Sequence, residues 1–178
     1  QAVAIDTATG MIYVADTANH TIRQITPTGT VSTLAGTSGV SGAAEGTGTA
    51  AKFNNPKALT ADSLGNLYVA DTGNNKIRKI DGAGIITTFA GTGTAGATGD
   101  GGPASSALLS APRGLFIASN KLYIADANNN KVRVIDLATN TISLVAGTGT
   151  AGAAGDGGAA ATAQLNAPRG VCVDASGN

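Results

Sequence analysis

The stretch Leu67-Tyr-Val-Ala-Asp-Thr-Gly-Asn-Asn-Lys-Ile-Arg-Lys-Ile80 has two further copies in this chain, Ile12-Tyr-Val-Ala-Asp-Thr-Ala-Asn-His-Thr-Ile-Arg-Gln-Ile25 and Leu122-Tyr-Ile-Ala-Asp-Ala-Asn-Asn-Asn-Lys-Val-Arg-Val-Ile135. Each copy has two short runs rich in Val, Ile and Tyr on either side of a polar segment with Asn, a pattern typical of a β-hairpin. The copies are 55 residues apart. Such a period indicates a ring or a stack of identical supersecondary units.

Two further apolar runs flank each hairpin, so every repeat predicts four antiparallel strands. The repeats occupy 3–58, 59–114 and 115–170 of one domain, 1–178, and a fourth starts at 171–178. Several strands are apolar throughout, which implies burial on both faces. Sheets arranged radially and stacked face to face satisfy this requirement. The sequence therefore predicts an all-β fold, a β-propeller with four-stranded antiparallel blades; a β-solenoid, whose repeats are usually shorter, is the alternative.

Three blades and one strand cannot close a propeller, which generally needs four to eight blades. Two interpretations stay open: the chain is a segment of a longer propeller, or two copies assemble and complete one ring. The residues Val171–Asn178 match Val3–Gly10, so the first strand of a blade occurs at both ends. Because closure by strand exchange would not need both copies of that strand, we favour the segment.

Charge and hydropathy restrict the possible partners. Eleven basic and eleven acidic residues cancel to a net charge of zero, whereas a nucleic-acid-binding surface needs an excess of Lys and Arg. No apolar run approaches the ~18 residues of a membrane-spanning helix. We therefore expect no nucleic-acid partner and no membrane span. The single cysteine, Cys172, lies in an apolar run, where we expect a small buried side chain in a strand.

The run Tyr13-Val-Ala-Asp-Thr-Ala-Asn-His-Thr-Ile-Arg23 resembles the NHL repeat, which is named for an Asn-His-Leu run in this hairpin. The first copy keeps the histidine as His20, the other two have Asn there, and none has the leucine. The segments Gly99-Asp-Gly-Gly-Pro-Ala104 and Pro112-Arg-Gly114 are also similar to NHL arrays in bacterial surface proteins and teneurin-type cell-surface proteins. The resemblance implies a six-bladed propeller that serves mostly as a binding platform, and a bacterial protein at an extracellular, periplasmic or cell-surface location.

A polar set recurs in each hairpin, and we interpret it as structural. Asn tolerates the left-handed backbone of a tight turn, and an Asp and an Arg on adjacent antiparallel strands can pair. His20, the only histidine, is predicted to be a turn residue, because the metal centre of a catalytic propeller needs several ligands. We expect no enzyme activity and no cofactor. The set comprises Asp16, Asn19 and Arg23, then Asp71, Asn74 and Arg78, then Asp126, Asn129 and Arg133.

Long Gly-rich connections follow the fourth strand of each repeat, at 37–55, 92–111 and 148–167. Each has an apolar residue three positions before a proline, which we interpret as an anchor that packs the loop against a blade. These anchors are Phe53, Leu109 and Leu165. Two connections contain Gly-Asp-Gly-Gly. Because Ca²⁺ takes six to eight oxygen ligands, one carboxylate in each loop favours an Asp-capped turn, with Ca²⁺ binding as the alternative.

A cation follows the proline at the end of each connection and enters the first strand of the next repeat. The three are Lys57, Arg113 and Arg169. The first strand of a blade is the innermost, so these side chains are predicted to surround the mouth of the central channel. Acidic residues are expected on the loops nearby, at Glu45, Asp100 and Asp156. Such a set could bind an anionic group of a partner.

Together these patterns predict a noncatalytic binding or scaffolding module that uses its loop-rich face for a protein or glycan partner. Its partners would include further blades, either from the same parent chain or from a homo-oligomer that completes the ring. Two alternatives remain. One is part of a metal-centred catalytic propeller of the lyase or lactonase type, and the other is a structural module that polymerises through open blade edges.

Overall fold

The computed structural model describes residues 2–174, which form three antiparallel sheets. The first sheet contains β1 (Val3–Ile5), β2 (Ile12–Asp16), β3 (Thr21–Ile25) and β4 (Val31–Ala35). A short strand, β5 (Gly46–Thr47), precedes the second sheet, which contains β6 (Pro56–Ala61), β7 (Leu67–Asp71), β8 (Lys76–Ile80) and β9 (Ile85–Ala90). The third contains β10 (Pro112–Ala118), β11 (Lys121–Asp126), β12 (Lys131–Asp136) and β13 (Thr141–Ala146).

Each sheet pairs its four long strands in chain order. The hairpin registers match between sheets: Val14 lies opposite Arg23, Val69 opposite Arg78, and Ile124 opposite Arg133. The predicted all-β fold with four-stranded antiparallel blades is therefore confirmed. We call these sheets blades 1, 2 and 3.

Two hydrophobic cores join the blades, one on each side of blade 2. Along β7, Leu67 and Val69 belong to the core shared with blade 1, whereas Tyr68 and Ala70 belong to the core shared with blade 3. All five residues of β7 are buried. Successive side chains of a strand point to opposite faces, so the run Leu67–Ala70 between two cores is apolar on both faces, as the sequence indicated.

The innermost strands lie side by side around one axis, because β6 packs against both β1 and β10. On the outer side of the blades, the loops between blades contact the outermost strands. In the first loop β5 pairs with β9, with Gly46 opposite Ile86 and Thr47 opposite Ile85. Covering an outer strand in this way satisfies backbone groups that would otherwise form an open sheet edge.

In blade 3 the second loop covers the outermost strand β13 in the same way, although the loop forms no strand of its own there. The Gly101 amide donates to the Ile142 carbonyl at 2.8 Å, and the Ile142 amide donates to the Gly102 carbonyl at 3.0 Å. Each loop therefore leaves one blade and runs along the outer edge of the next. This fifth element was not predicted, because Gly-rich segments have no strand pattern in the sequence.

Residues 171–174 are in no strand, and 175–178 lie outside the described residues, so the start of a fourth blade at 171–178 stays a prediction. Cys172 is exposed, so the prediction of a buried thiol is wrong. Among the described residues no strand pairs with 171–174, and the Cys172 side chain is therefore not buried in a sheet.

Candidate functional site

The hairpin turns present a residue with left-handed backbone at the loop-rich face. Each turn is one short 3-10 segment that ends at His20, Asn75 or Asn130, with φ of 58°, 54° and 53°. Asn and His are among the residues that adopt this conformation most readily. The interpretation of His20 as a turn residue is confirmed.

The same turn residues hold the end of the loop that leaves their blade. Nδ1 of His20 accepts a hydrogen bond from the Asn55 amide at 3.1 Å. Oδ1 of Asn75 accepts from the Ala111 amide, and Oδ1 of Asn130 from the Ala167 amide, both at 2.9 Å. Each donor directly precedes a proline, so these bonds fix the point at which the following cation enters its strand.

A threonine hydroxyl adds a second restraint that sequence reasoning missed. Thr72 Oγ1 donates to the Pro112 carbonyl at 2.6 Å, and Thr17 Oγ1 donates to the Pro56 carbonyl at 2.6 Å. The sequence signal that could have indicated these hydrogen bonds is the Asp-Thr pair that the first two hairpins share. In the third hairpin Ala127 occupies this position.

The Asp–Asn–Arg set holds the loop from the other side. In blade 2 the Asp71 carboxylate accepts from the Asn54 amide at 2.7 Å, from Asn74 Nδ2 at 2.8 Å and from Arg78 Nη1 at 3.1 Å. The guanidinium of Arg78 also donates to the carbonyls of Lys52 and Ala44 at 3.3 and 3.1 Å. Burial raises the pKa of Asp71, and these donors oppose that rise. The structural interpretation of the polar set is confirmed here.

The anchors pack as the sequence indicated where a following blade is present. Phe53 is fully buried beneath the Arg78 guanidinium, which lies 5.6 Å from the ring centroid, a cation–π arrangement. Leu109 is fully buried in the next core. Leu165 is only partly buried. Each interblade loop is thus held between the hairpin turn of one blade and the Asp–Arg pair of the next.

We call the three predicted cations Lys57, Arg113 and Arg169 the cation ring; β6 and β10 pack together, and the Arg169 carbonyl lies beside Gly114. Lys57 follows Pro56 in β6, Arg113 follows Pro112 in β10, and Arg169 is exposed after Pro168. Partial burial lowers the pKa of Lys57, and the positive charges of Arg113 and Arg169 lower it further. Among the ion pairs of residues 2–174, none involves a member of the ring.

Two of the predicted acidic residues have other partners. Glu45 Oε1 accepts from the Thr88 amide in the outermost strand β9 at 2.7 Å, and hydrogen bonds from Thr88 lower the pKa of Glu45. Asp100 Oδ1 accepts from Arg133 Nε at 2.9 Å and lies 2.8 Å from Nη2 of the same side chain. Asp100 therefore takes part in an ion pair in place of the expected turn cap. Asp156 is exposed on the third loop.

Two further findings concern metal binding and membrane spans in the described part of the chain. Residues 2–174 hold no group of three or more His, Cys, Asp or Glu side chains placed to bind a metal ion. In the same part of the chain, no helix is both long enough and apolar enough to span a membrane.

Meandering four-stranded sheets whose innermost strands surround one axis define the class: this chain forms blades of a β-propeller. The NHL repeat family model matches residues 53–80. NHL repeat-containing protein 2 of Bos taurus is 35% identical over 144 residues, which cover 75% of this chain and 20% of that protein. The chain belongs to the NHL-repeat family, and it spans about a fifth of the length of this relative.

Solved structures share the fold. A structural genomics protein of unknown function from Bacteroides thetaiotaomicron matches with a TM-score of 0.77 and 26% identity, over 97% of this chain and 42% of that one. An auxiliary nutrient binding protein from Bacteroides ovatus matches with a TM-score of 0.75 and 20% identity, over 99% of this chain and 43% of that one. The second likeness concerns the fold alone.

Proposed function

We propose that this chain is part of a noncatalytic binding module in which the cation ring contacts an anionic group of a protein or glycan partner. The observation that carries the proposal is that Lys57 and Arg113 occupy the same position in the packed innermost strands β6 and β10, and that the Arg169 backbone runs beside Gly114. Three cations without an ion-pair partner in residues 2–174 favour the binding of a negative charge from outside.

The construction of the site supports this role. Lys57 and Arg113 directly follow a proline in the innermost strands β6 and β10, and Arg169 directly follows Pro168; the loop before each proline is tied to a hairpin turn. The backbone under the ring is therefore ordered before a ligand arrives. Ordered cations form charge-assisted hydrogen bonds with carboxylate, sulfate or phosphate groups, and Arg can do so with two parallel bonds.

The structural relatives offer general support for a binding role. The protein from Bacteroides ovatus is described as an auxiliary nutrient binding protein, and the propeller fold hosts many functions. An extracellular, periplasmic or cell-surface location belongs to the same proposal, because glycan partners with anionic groups are common there.

Binding of defined anionic probes tests the proposal. A sulfated oligosaccharide and a Glu-rich peptide would be titrated into the chain and into Lys57→Ala, Arg113→Ala and Arg169→Ala, with calorimetric detection. Lys121→Ala is the matched control, because this exposed lysine begins β11 after the turn on the opposite face. We expect each ring variant to weaken binding of one probe by roughly tenfold, a change of about 1.4 kcal/mol, and the control to bind like the unmodified chain. Equal binding by all four variants would overturn the proposal.

A further inference from the structure

A cavity of about 310 Å³ lies between blades 2 and 3, beside the outermost strand β9 of blade 2. One wall is formed by Thr88 and Phe89 of β9. The other wall belongs to blade 3 and consists of residues 101–103 and 105 in the second loop, and of residues 139–141 at the β12–β13 turn. Both walls come from residues 88–141, well inside the described range 2–174. Small-molecule sites in proteins begin at a volume of roughly 300 Å³.

Backbone hydrogen bonds hold the wall in blade 3 together. The Ala104 amide of the second loop donates to the Asn140 carbonyl of the turn at 2.8 Å. The Asn140 amide in turn donates to the Asp136 carbonyl, also at 2.8 Å. Loop and turn therefore form one surface, and the cavity has its shape before a ligand arrives, which lowers the cost of ordering on binding.

The wall in blade 2 contains an aromatic ring that the other repeats lack. Phe89 is partly buried, and its ring meets the Tyr68 ring edge to face, with the centroids 4.9 Å apart and an angle of 72° between the planes. The same position is Leu34 in blade 1 and Val145 in blade 3. The face of an aromatic ring is electronegative and attracts the weakly positive C–H groups of a saturated ring. Phe89 thus offers a fixed platform for such a ring.

The turn in blade 3 is longer than its counterparts. Residues 136–141 separate the strand partners Ile135 and Ile142, whereas the shorter segment 81–85 separates Ile80 from Ile86 in blade 2. The longer turn contains Asn140, whose backbone is left-handed with a φ of 56°. The extra residue therefore adds an amide side chain to the wall of the cavity.

The junction between blades 1 and 2 lacks both features. A cavity at that junction includes Leu34 and the turn residues Gly82 and Gly84, holds about 170 Å³, and is also lined by the charged Asp81. The larger cavity thus coincides with the two departures from the repeat, the aromatic ring and the longer turn.

The polar lining of the cavity between blades 2 and 3 is neutral. Among its described lining residues none is charged. Thr88 Oγ1 accepts a hydrogen bond from Lys76 Nζ at 3.4 Å. Three other polar side chains of the lining form no hydrogen bond with any group of residues 2–174, namely Ser105, Asn140 and Thr141. Hydroxyl and amide groups both donate and accept hydrogen bonds, so these side chains can bind either kind of partner.

We propose that this cavity binds one uncharged pyranose unit of a carbohydrate, with a C–H face of the sugar on the Phe89 ring and its hydroxyls on the three unpartnered side chains. A pyranose combines an apolar C–H face with hydroxyls that donate and accept, which is the complement of this lining. A charged ligand would meet no counter-charge there. The proposal does not depend on the cation ring, because Lys57 and Arg113 lie in innermost strands and the cavity lies beside an outermost one.

Saturation-transfer NMR with neutral probes tests the proposal. The probes are the methyl β-glucopyranoside, the methyl β-galactopyranoside and the methyl α-mannopyranoside. We expect millimolar binding of at least one of them, the range that ligand efficiency sets for a ligand of this size. Packing on Phe89 predicts the strongest transfer to the protons of one face of the sugar ring. The amide signals of Phe89 and Ser105 should shift, and that of Arg113 in the cation ring should not.

Two substitutions remove the proposed contacts and keep the fold. Phe89→Leu replaces the ring with the side chain that blade 1 has at this position, and we expect roughly tenfold weaker binding. Asn140→Gly removes the amide, and glycine adopts the left-handed backbone without strain; we expect roughly fivefold weaker binding. Asn120→Gly is the matched control, because Asn120 is also exposed and left-handed, with a φ of 59°, but does not line the cavity.

Three results would overturn the proposal. The first is the absence of saturation transfer to every pyranoside at concentrations in the tens of millimolar. The second is equal affinity of the unmodified chain and Phe89→Leu, which would place the sugar elsewhere. The third is binding of N-acetyl-leucinamide in place of the pyranosides, which would make the cavity a site for an apolar peptide side chain. Binding by Asn120→Gly that equals the unmodified chain, together with losses in the two cavity variants, is the result that the proposal predicts.

Discussion

Asp16 and Asp71 occupy the same position in two repeats but differ in environment. Asp71 and its partner Arg78 are completely buried, and their nitrogen and oxygen are 3.1 Å apart. Asp16 and Arg23 are partly exposed and 3.6 Å apart. The energetic importance of this pair is therefore decided by its place in the ring and not by the local sequence.

Substituting each aspartate separately measures that difference. Asp71→Asn leaves the buried Arg78 without its counter-charge, so we expect the free energy of unfolding to fall by about 3–5 kcal/mol. Asp16→Asn is the matched control, with an expected loss of about 0–1 kcal/mol. Both would be measured by urea denaturation. Equal losses would show that burial does not set the importance of the pair.

At the residue scale, the sequence predicted what lies within one repeat. The Asp, Asn and Arg of each set are near in sequence, and their pairing across a hairpin follows from strand register. The backbone donors that complete the set, such as the Asn54 amide, come from a loop that belongs to the preceding blade. Only the packing of blades brings them together, so no local pattern indicated them.

At the scale of elements, the strands were predictable and the loop contacts were not. The run Leu67–Ala70 between two cores is apolar on both faces, which is visible in the sequence. The pairing of β5 with the beginning of β9 involves Gly-rich backbone that has no such pattern. The cation ring was predictable because Pro and a cation recur at one register, whereas the partners of Glu45 and Asp100 differ between loops.

Substituting Glu45 tests whether the hydrogen bond between the first loop and Thr88 holds that loop against blade 2. Hydrogen bonds from Thr88 lower the pKa of Glu45 below its ordinary value. A carboxyl whose folded-state pKa is depressed stabilises the fold above its unfolded pKa, and that contribution is lost as the pH falls through the folded pKa. In Glu45→Ala we expect roughly tenfold faster hydrogen exchange at the Thr88 amide and weaker dependence of stability on acid pH.

The control for Glu45→Ala lies in the same blade. The Tyr68 amide in β7 is remote from the loop edge, and its exchange should stay unchanged. Unaltered exchange at Thr88 would contradict the account of the loop cover.

At the scale of the whole molecule, the packing of blades creates features that no single repeat has. Blade 2 is covered on both faces by its neighbours. The cation ring also belongs to this scale, because Lys57 and Arg113 come from successive innermost strands, Arg169 follows the third loop, and the three approach one another only when the blades pack. Its existence and its occupation by an anion are the central claim about function.

The most direct test of that claim is an NMR titration of the Lys57 side chain, without and with the sulfated oligosaccharide. In the free chain we expect a pKa below the ordinary lysine value, because of partial burial and the charges of Arg113 and Arg169. Charged Lys57 then costs stability at neutral pH; the cost begins to fall as the pH rises past the folded-state pKa and is gone above the ordinary, unfolded-state pKa. A bound anion should raise the pKa again. An ordinary pKa in the free chain that does not move when the probe is added would contradict the account.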